Sequence, residues 1–282
     1  MRIVLVYFSA TNVTKTYAGV MGTELSGRGC EVLPVDVTSF SSRQDPLPLD
    51  GADGVLFGFP VYADFAPSVI QEWIPTLDGK GKRCATFFTY GARTTGYAHY
   101  HTKVLLENAG FRVQCTAEFL GRHTYNLTGW RVIPDRPDER DFSVAREFAA
   151  LALERYTRGS PKEFELQKPF GYNTVLKWRG LVQRSPTGGL CHPVRFKSEC
   201  RMCRRCETEC PTRAFDADTG VANPLKCIEC MHCVYICPDK VLKTDDRMKD
   251  AYSAFIAEWN LTERIINAKR SRIITEPWQA AQ

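Results

Sequence analysis

The chain has 282 residues, 44% of them hydrophobic, and a formal charge of +5. This excludes a disordered chain and allows about two domains, at the usual ~100–200 residues each. No apolar run approaches the ~20 residues that cross a bilayer, and Met1–Phe8 is too short for a secretory leader. The twelve cysteines are therefore read as cytosolic thiols rather than disulfides.

Residues Arg2–Ser9 (RIVLVYFS) form a continuous apolar run ending in a small polar residue, the pattern of a parallel strand buried on both faces. The stretch Ser9, Ala10, Thr11, Asn12, Val13 and Thr14 follows, then a helical pattern to about Ser26. The free N–H groups and positive dipole end of a helix placed there suit a phosphate dianion. Taken alone, the stretch equally suits an ordinary Ser/Thr cap. Further strands fit Glu31–Val37, Gly54–Phe59, Cys84–Thr89 and Arg112–Phe119, and helices fit Pro67–Leu77, Tyr97–Ala109 and Glu139–Tyr156. Five strands alternating with helices predict a doubly wound α/β sheet that binds its ligand at the carboxyl ends of the strands. The loops there are Pro60, Val61, Tyr62, Ala63 and Asp64, and then Thr89, Tyr90, Gly91, Ala92 and Arg93. Each sets an aromatic ring beside small residues, which suits a flat heteroaromatic ligand.

From Arg158 to Val194 the periodicity is broken by Pro161, Pro169, Gly171, Gly180, Pro186, Gly188, Gly189 and Pro193. Phe164, Phe170, Tyr172, Leu176 and Trp178 make it an ordered connector, because a free tether carries fewer aromatics. Cys191 is a bystander, and Cys30, Cys84 and Cys115 are apolar residues in or beside strands.

The densest signal follows. Cys200, Cys203, Cys206 and Cys210-Pro211 have the spacing C-x2-C-x2-C-x3-C-P, and Cys227, Cys230, Cys233 and Cys237-Pro238 repeat it 27 residues on. This is the bacterial ferredoxin signature, in which the fourth cysteine of each run ligates the other cluster. It predicts one [4Fe–4S] cluster on Cys200, Cys203, Cys206 and Cys237, and a second on Cys227, Cys230, Cys233 and Cys210. A zinc site needs four ligands and leaves the third cysteine and the Cys-Pro endings unexplained. Arg201, Arg204 and Arg205, threaded through the first run, would raise the potential of its cluster and offer a docking patch to an acidic redox partner. Beyond the clusters, Asp246–Lys269 reads as one amphipathic helix that clamps the cluster domain, or serves as a homodimer contact.

Together these pieces resemble the flavodoxin–ferredoxin fusion family of anaerobic bacteria and archaea. The matching segments are Tyr7–Thr14, Gly58–Tyr62, Thr89–Arg93, Phe119–Tyr125, Arg136–Asp141 and the cysteine runs. The resemblance implies a flavodoxin-like five-stranded domain over 1–157, a connector over 158–192, an α+β 2[4Fe-4S] ferredoxin domain over 193–245, and a helix and tail over 246–282. It also implies FMN, with its phosphate on Ser9–Thr14, its ring between Tyr62 and Tyr90, and the Thr89–Gly91 backbone at its polar edge. Asn12 stands where the family has glycine, and asparagine tolerates the left-handed backbone such a turn needs. Ala92 stands where some relatives place a tryptophan, which uncovers one flavin face. Phe119–Tyr125 reads equally as strand core, leaving His123 and Tyr125 outside the site.

Two clusters and a flavin phosphate, at about −2 each, bring the loaded charge to about −1, so global charge points to neither nucleic acid nor membrane. The expected function is electron transfer between FMN and the clusters in the cytoplasm of an oxygen-poor cell. The rival is an FMN-dependent oxidoreductase fed by the clusters, for which Arg93, His99, His101 and His123 are the visible candidates. No G-x-G-x-x-G is present, which disfavours a built-in nicotinamide site.

Overall fold

The computed structural model describes residues 1–158, 164–184 and 191–274. The predicted features Pro161, Pro186, Gly188, Gly189 and the tail beyond Ile274 lie outside the described residues. Five parallel strands form the first sheet: β1 (Arg2–Tyr7), β2 (Glu31–Asp36), β3 (Gly54–Pro60), β4 (Arg83–Tyr90) and β5 (Arg112–Leu120). They run in the order β2-β1-β3-β4-β5, which is the flavodoxin-like doubly wound order. β1 shows why its whole run is apolar. Val4 and Val6 face one core, and Ile3, Leu5 and Tyr7 face the other, so both sides of the strand are covered. Edge strand β2 is half exposed and tolerates Pro34.

Helices α1 (Val13–Gly27) and α4 (Glu139–Arg158) cover one face through Tyr17, Met21, Phe148 and Ala149. Helices α2 (Ser68–Trp73) and α3 (Ala98–Asn108) cover the other through Ile70, Trp73, Ala98 and Leu106. α2 is shorter than its pattern because Pro75 ends it in a 3-10 turn over Ile74–Thr76. The connector contains a helix, α5 (Tyr172–Arg184), where the sequence predicts no long periodic run. Its first residue is pinned to α3 by a 2.6 Å hydrogen bond between Tyr172 Oη and His101 Nδ1.

The cluster region forms its own small antiparallel sheet, ordered β7-β8-β6-β9. Its strands are β6 (Val194–Arg195), β7 (Phe215–Asp216), β8 (Val221–Ala222) and β9 (Leu242–Lys243), with short helices α6 (Arg205–Thr208) and α7 (His232–Ile236) between them. The predicted single C-terminal helix is two, α8 (Met248–Glu258) and α9 (Glu263–Ala268). Asn260 takes a positive φ of 48°, and Thr262 caps α9 by accepting the Ile265 N–H.

Helix α8 packs against both units, sharing an apolar cluster with Met231 and Val234 of the cluster region and with Tyr90, Ala92 and Trp130 of the first unit. The Trp130 indole donates to Met248 O at 2.8 Å, and the Trp130 ring touches Tyr252, Phe255 and Trp259. A sixth strand, β10 (Arg272–Ile274), then pairs antiparallel with β5, so the segment read as a tail is part of the first sheet.

Candidate cofactor sites

At the carboxyl ends of β1, β3, β4 and β5 lies a cavity of about 320 Å³, within the ~300–1,000 Å³ range of small-molecule sites. Among its lining residues are Ser9, Ala10, Thr11, Val13, Thr14, Pro60, Val61, Tyr62, Ala63, Thr89, Tyr90, Gly91 and Arg93. Asn12 and Ala92, also predicted for the site, are not among the lining residues. Asn12 adopts φ 68° immediately before α1, the left-handed turn that its identity predicted. Ala92, fully buried, also takes φ 68°. Ala63 and Asp64, at φ 46° and 67°, form the tip of a tight hairpin closed by Tyr62 and Phe65.

The floor is held by short polar contacts. Ser9 Oγ accepts the Lys15 N–H at 3.0 Å, the Ser9 N–H donates to Thr38 Oγ1 at 2.8 Å, and the Thr14 and Thr89 hydroxyls lie 2.8 Å apart. The first-turn N–H groups of α1 have no partner within the helix, and they open on this floor. At Gly91 a Cβ would stand 2.4 Å from His123 Cδ2, and at Gly121 one would stand 2.3 Å from Val13 Cγ1. Backbone and side chains therefore approach more closely at both points than any other residue allows.

Sequence reasoning missed part of the lining. β5 ends at Leu120, so Gly121–Tyr125 is not strand core and all five residues face the cavity. Phe255, Glu258 and Trp259 come from the end of α8, and Ile228 and Glu229 come from the second cysteine run. Trp259 adds an aromatic ring to the lining that the sequence near Ala92 lacks. Arg93 stands 5.0 Å over its ring while donating to Asp64 Oδ1 at 2.9 Å. His99 and His101 do not reach the cavity. His99 faces Thr116 and Glu118, and His101 faces Tyr172.

Burial governs ionisation here. It raises Tyr62, whose ring lies in the field of Cys230, raises Tyr125, and lowers His123 to about 4. It also raises Asp64 against the opposing pull of Arg93. The tyrosines and the histidine of the lining are therefore uncharged at neutral pH.

The eight thiols of the two runs gather in two groups. Cys206 lies in the field of Cys203, Cys237 and Cys200, and Cys233 in that of Cys230, Cys210 and Cys227. The chain crosses between the halves as the signature requires. Met202 and Arg204 are left-handed in the first run, and Glu229 and Met231 in the second, again 27 residues on. Such alternation turns successive N–H groups inward, the nest geometry found around iron–sulfur centres. Ala214 N–H points to Cys210 Sγ at 3.3 Å and Glu229 N–H to Cys227 Sγ at 3.4 Å. Burial pushes the Cys206 and Cys227 thiols up to about 11 and 12, so they become thiolates through metal binding. Among the described residues no three His, Cys, Asp or Glu side chains converge as a single metal ion would need.

The two groups sit differently. In the first, Cys203 is exposed, Cys200 and Cys206 are half-buried and Cys237 is buried, whereas Cys210, Cys227, Cys230 and Cys233 are all buried. Arg201, Arg204 and Arg205 do not form a bare cationic patch. Arg201 pairs with Asp239 at 2.6 Å, Arg204 with Asp218 at 2.7 Å and with Glu207, and Arg205 with Glu209 at 2.7 Å.

The second group is built into the first unit. Ile228 and Cys230 share a core with Phe8, Ala10, Phe59 and Ala66. His232 Nδ1 donates to Ala10 O at 2.8 Å, and Tyr125 Oη donates to Glu229 Oε2 at 3.3 Å. Buried Arg43 donates to Val37 O at 2.8 Å, Thr38 O at 3.0 Å and Ser39 O at 2.9 Å, and its other nitrogen reaches Pro211 O. Arg213 lies 3.9 Å over the Phe40 ring.

Residues 192–238 match the 4Fe-4S dicluster domain family. No curated protein matches the chain in sequence. Among solved structures, it is similar to a flavodoxin from the domain Archaea at 16% identity and TM-score 0.41, over 56% of this chain and 100% of that one. It is similar to oxidised flavodoxin 2 from Bacillus cereus at 16% identity and TM-score 0.41, over 55% and 99%. A third is rubredoxin oxygen:oxidoreductase from Desulfovibrio gigas, at 17% identity and TM-score 0.42, over 56% of this chain but 36% of that one. The sheet order carries the flavodoxin-like assignment, and the family match carries the iron–sulfur assignment. The chain joins the two units, as a flavodoxin–ferredoxin fusion does. No helix among the described residues is long and apolar enough to cross a membrane.

Proposed function

We propose that this chain is an electron carrier in which FMN, held in the cavity, exchanges electrons with two [4Fe–4S] clusters inside one polypeptide. The observation that carries this reading is that Ile228 and Glu229, neighbours of Cys230 in the second cysteine run, also line the cavity. The inner cluster, on Cys227, Cys230, Cys233 and Cys210, then lies against the flavin. The outer cluster, on Cys200, Cys203, Cys206 and Cys237, faces solvent through Cys203.

A bound flavin accepts one or two electrons and each cluster passes one, so the chain couples the two kinds of traffic. The protein contributes placement and insulation. The start of α1, with Ser9–Thr14, holds the phosphate. Tyr62 and Tyr90 flank the ring, the Thr89–Gly91 backbone meets its polar edge, and Arg93 keeps Trp259 over the cavity. This cover favours carriage over turnover of a small substrate. A protein redox partner meets the outer cluster, and the reading places the chain in the cytoplasm of an oxygen-poor cell.

The test is anaerobic reconstitution followed by rapid mixing. We expect about eight irons and one FMN per chain, and flavin reduction through the clusters at a rate independent of protein concentration. A rate that rises in proportion to concentration would place the transfer between chains and overturn this reading.

A further inference from the structure

We propose that His123 recognises the polar edge of the flavin, donating its Nε2–H there as a neutral donor that binds reduced, anionic flavin more tightly than oxidised flavin. This rests on the flavin reading of the cavity. The first support is the tautomer. Nδ1 accepts the Tyr125 N–H at 3.1 Å, so in the neutral ring the proton sits on Nε2.

The second is position. The imidazole stacks on Trp130 at 5.3 Å and 29°, and Trp130 is itself fixed by its bond to Met248 O. The ring also meets the Gly91 backbone so closely that a Cβ there would stand 2.4 Å from Cδ2. Cδ2 is bonded to Nε2, which places the donor beside the Thr89–Gly91 backbone. Gly91 is glycine because this ring occupies the space a side chain would take.

The third is charge. Burial holds the imidazole at about 4, so it donates a hydrogen bond without bringing a positive charge. The other charged groups of the lining are committed or set apart. Arg93 is paired with Asp64 and packed on Trp259, Arg122 and Glu258 are exposed, and Glu229 binds Tyr125. Two electrons from the clusters and one proton from solvent leave the reduced flavin with one negative charge. A hydrogen bond to the ring favours that form. A donor fixed before the charge arrives needs no reorganisation.

The full chain with clusters and FMN is titrated anaerobically as wild type, His123→Phe and His123→Gln, with the affinity for oxidised FMN measured in parallel. In His123→Phe we expect the preference for reduced over oxidised flavin to fall about tenfold, a potential lower by about 30 mV for this two-electron couple. His123→Gln, which keeps an N–H donor, restores most of that loss. The ¹⁵N resonance of wild-type His123 Nε2 shifts on adding FMN and stays that of a neutral ring to about pH 5, a result that needs no variant to fold. An unchanged potential in His123→Phe with FMN bound, or a resonance blind to FMN, overturns the proposal alone. A wild-type chain that binds no FMN overturns both this proposal and the flavin reading.

Discussion

Met202, Arg204 and Arg213 in the first cysteine repeat, and Glu229, Met231 and Lys240 in the second, adopt the same left-handed backbone 27 positions apart. Around that shared frame the two halves diverge. The outer group carries its arginines on the surface, each closed on an acid of its own unit. The inner group turns Ile228 and Cys230 into the core of the first unit and His232 onto Ala10 O. Cysteine spacing and backbone set where a cluster goes, and the residues between the cysteines decide what it touches. The repeat accordingly turns one half outward to solvent and the other inward to the cavity of the first unit.

The sharpest way to break this comparison is to remove one cluster at a time. Cys230→Ser should lose about four of the eight irons and abolish cluster-fed flavin reduction. Cys203→Ser should lose a similar share of iron yet leave exchange between the inner cluster and the flavin, as seen in iron assay and rapid-mixing absorbance. Next in size is the seam. Burial pulls Arg43 down to about 10, so it stays charged at neutral pH while donating to four carbonyls. Arg43→Ala should cost about 3 kcal/mol or more in urea unfolding, because those acceptors are left dry.

A pH series sharpens the contrast further. His123 is depressed from 6.5 to about 4 in the folded chain, so the unfolded chain binds the extra proton first. The stability of the neutral ring is present above pH 6.5 and is lost as pH falls from there towards 4. The loss has an upper bound of about 3 kcal/mol, and it should be absent in His123→Gln. The smallest effect belongs to the outer surface. Arg204→Ala and Arg205→Ala remove exposed, solvent-screened ion pairs and should leave the urea unfolding midpoint nearly unchanged, without slowing flavin reduction by the inner cluster.

The legible parts of this molecule are those written locally. The β1 run, the strand–helix alternation and the cysteine spacing each carry their meaning within a few residues. Even the left-handed turn at Asn12 follows from the residue type. What escaped was long-range. Nothing near Ala92 says that its missing aromatic arrives at position 259, and only packing shows that Ile228 and Glu229 look into a cavity built by another unit. β10 has three residues, too few to show a period. One clue lay in β5, where Glu118 interrupts an apolar strand. A carboxylate buried there needs partners. Burial works to raise its pKa, but His99, Thr95 and Arg272 outweigh that and hold it at about 2.

The three residues of β10 also decide how the molecule can be cut. The chain leaves the first sheet after α4, builds the cluster unit and the cover over the cavity, and returns to pair with β5. Ser271 seals the return by accepting the Leu120 N–H at 2.9 Å and donating to Asp141. The cluster unit is therefore an insertion within the first unit, not an appendage behind it. A fragment ending at residue 157 would expose the edge of β5, strip Glu118 of Arg272 and uncover the cavity in a single cut. An unpaired apolar edge invites pairing with other chains, so a version of the first unit made alone should keep the last strand, with the cluster unit replaced by a short loop.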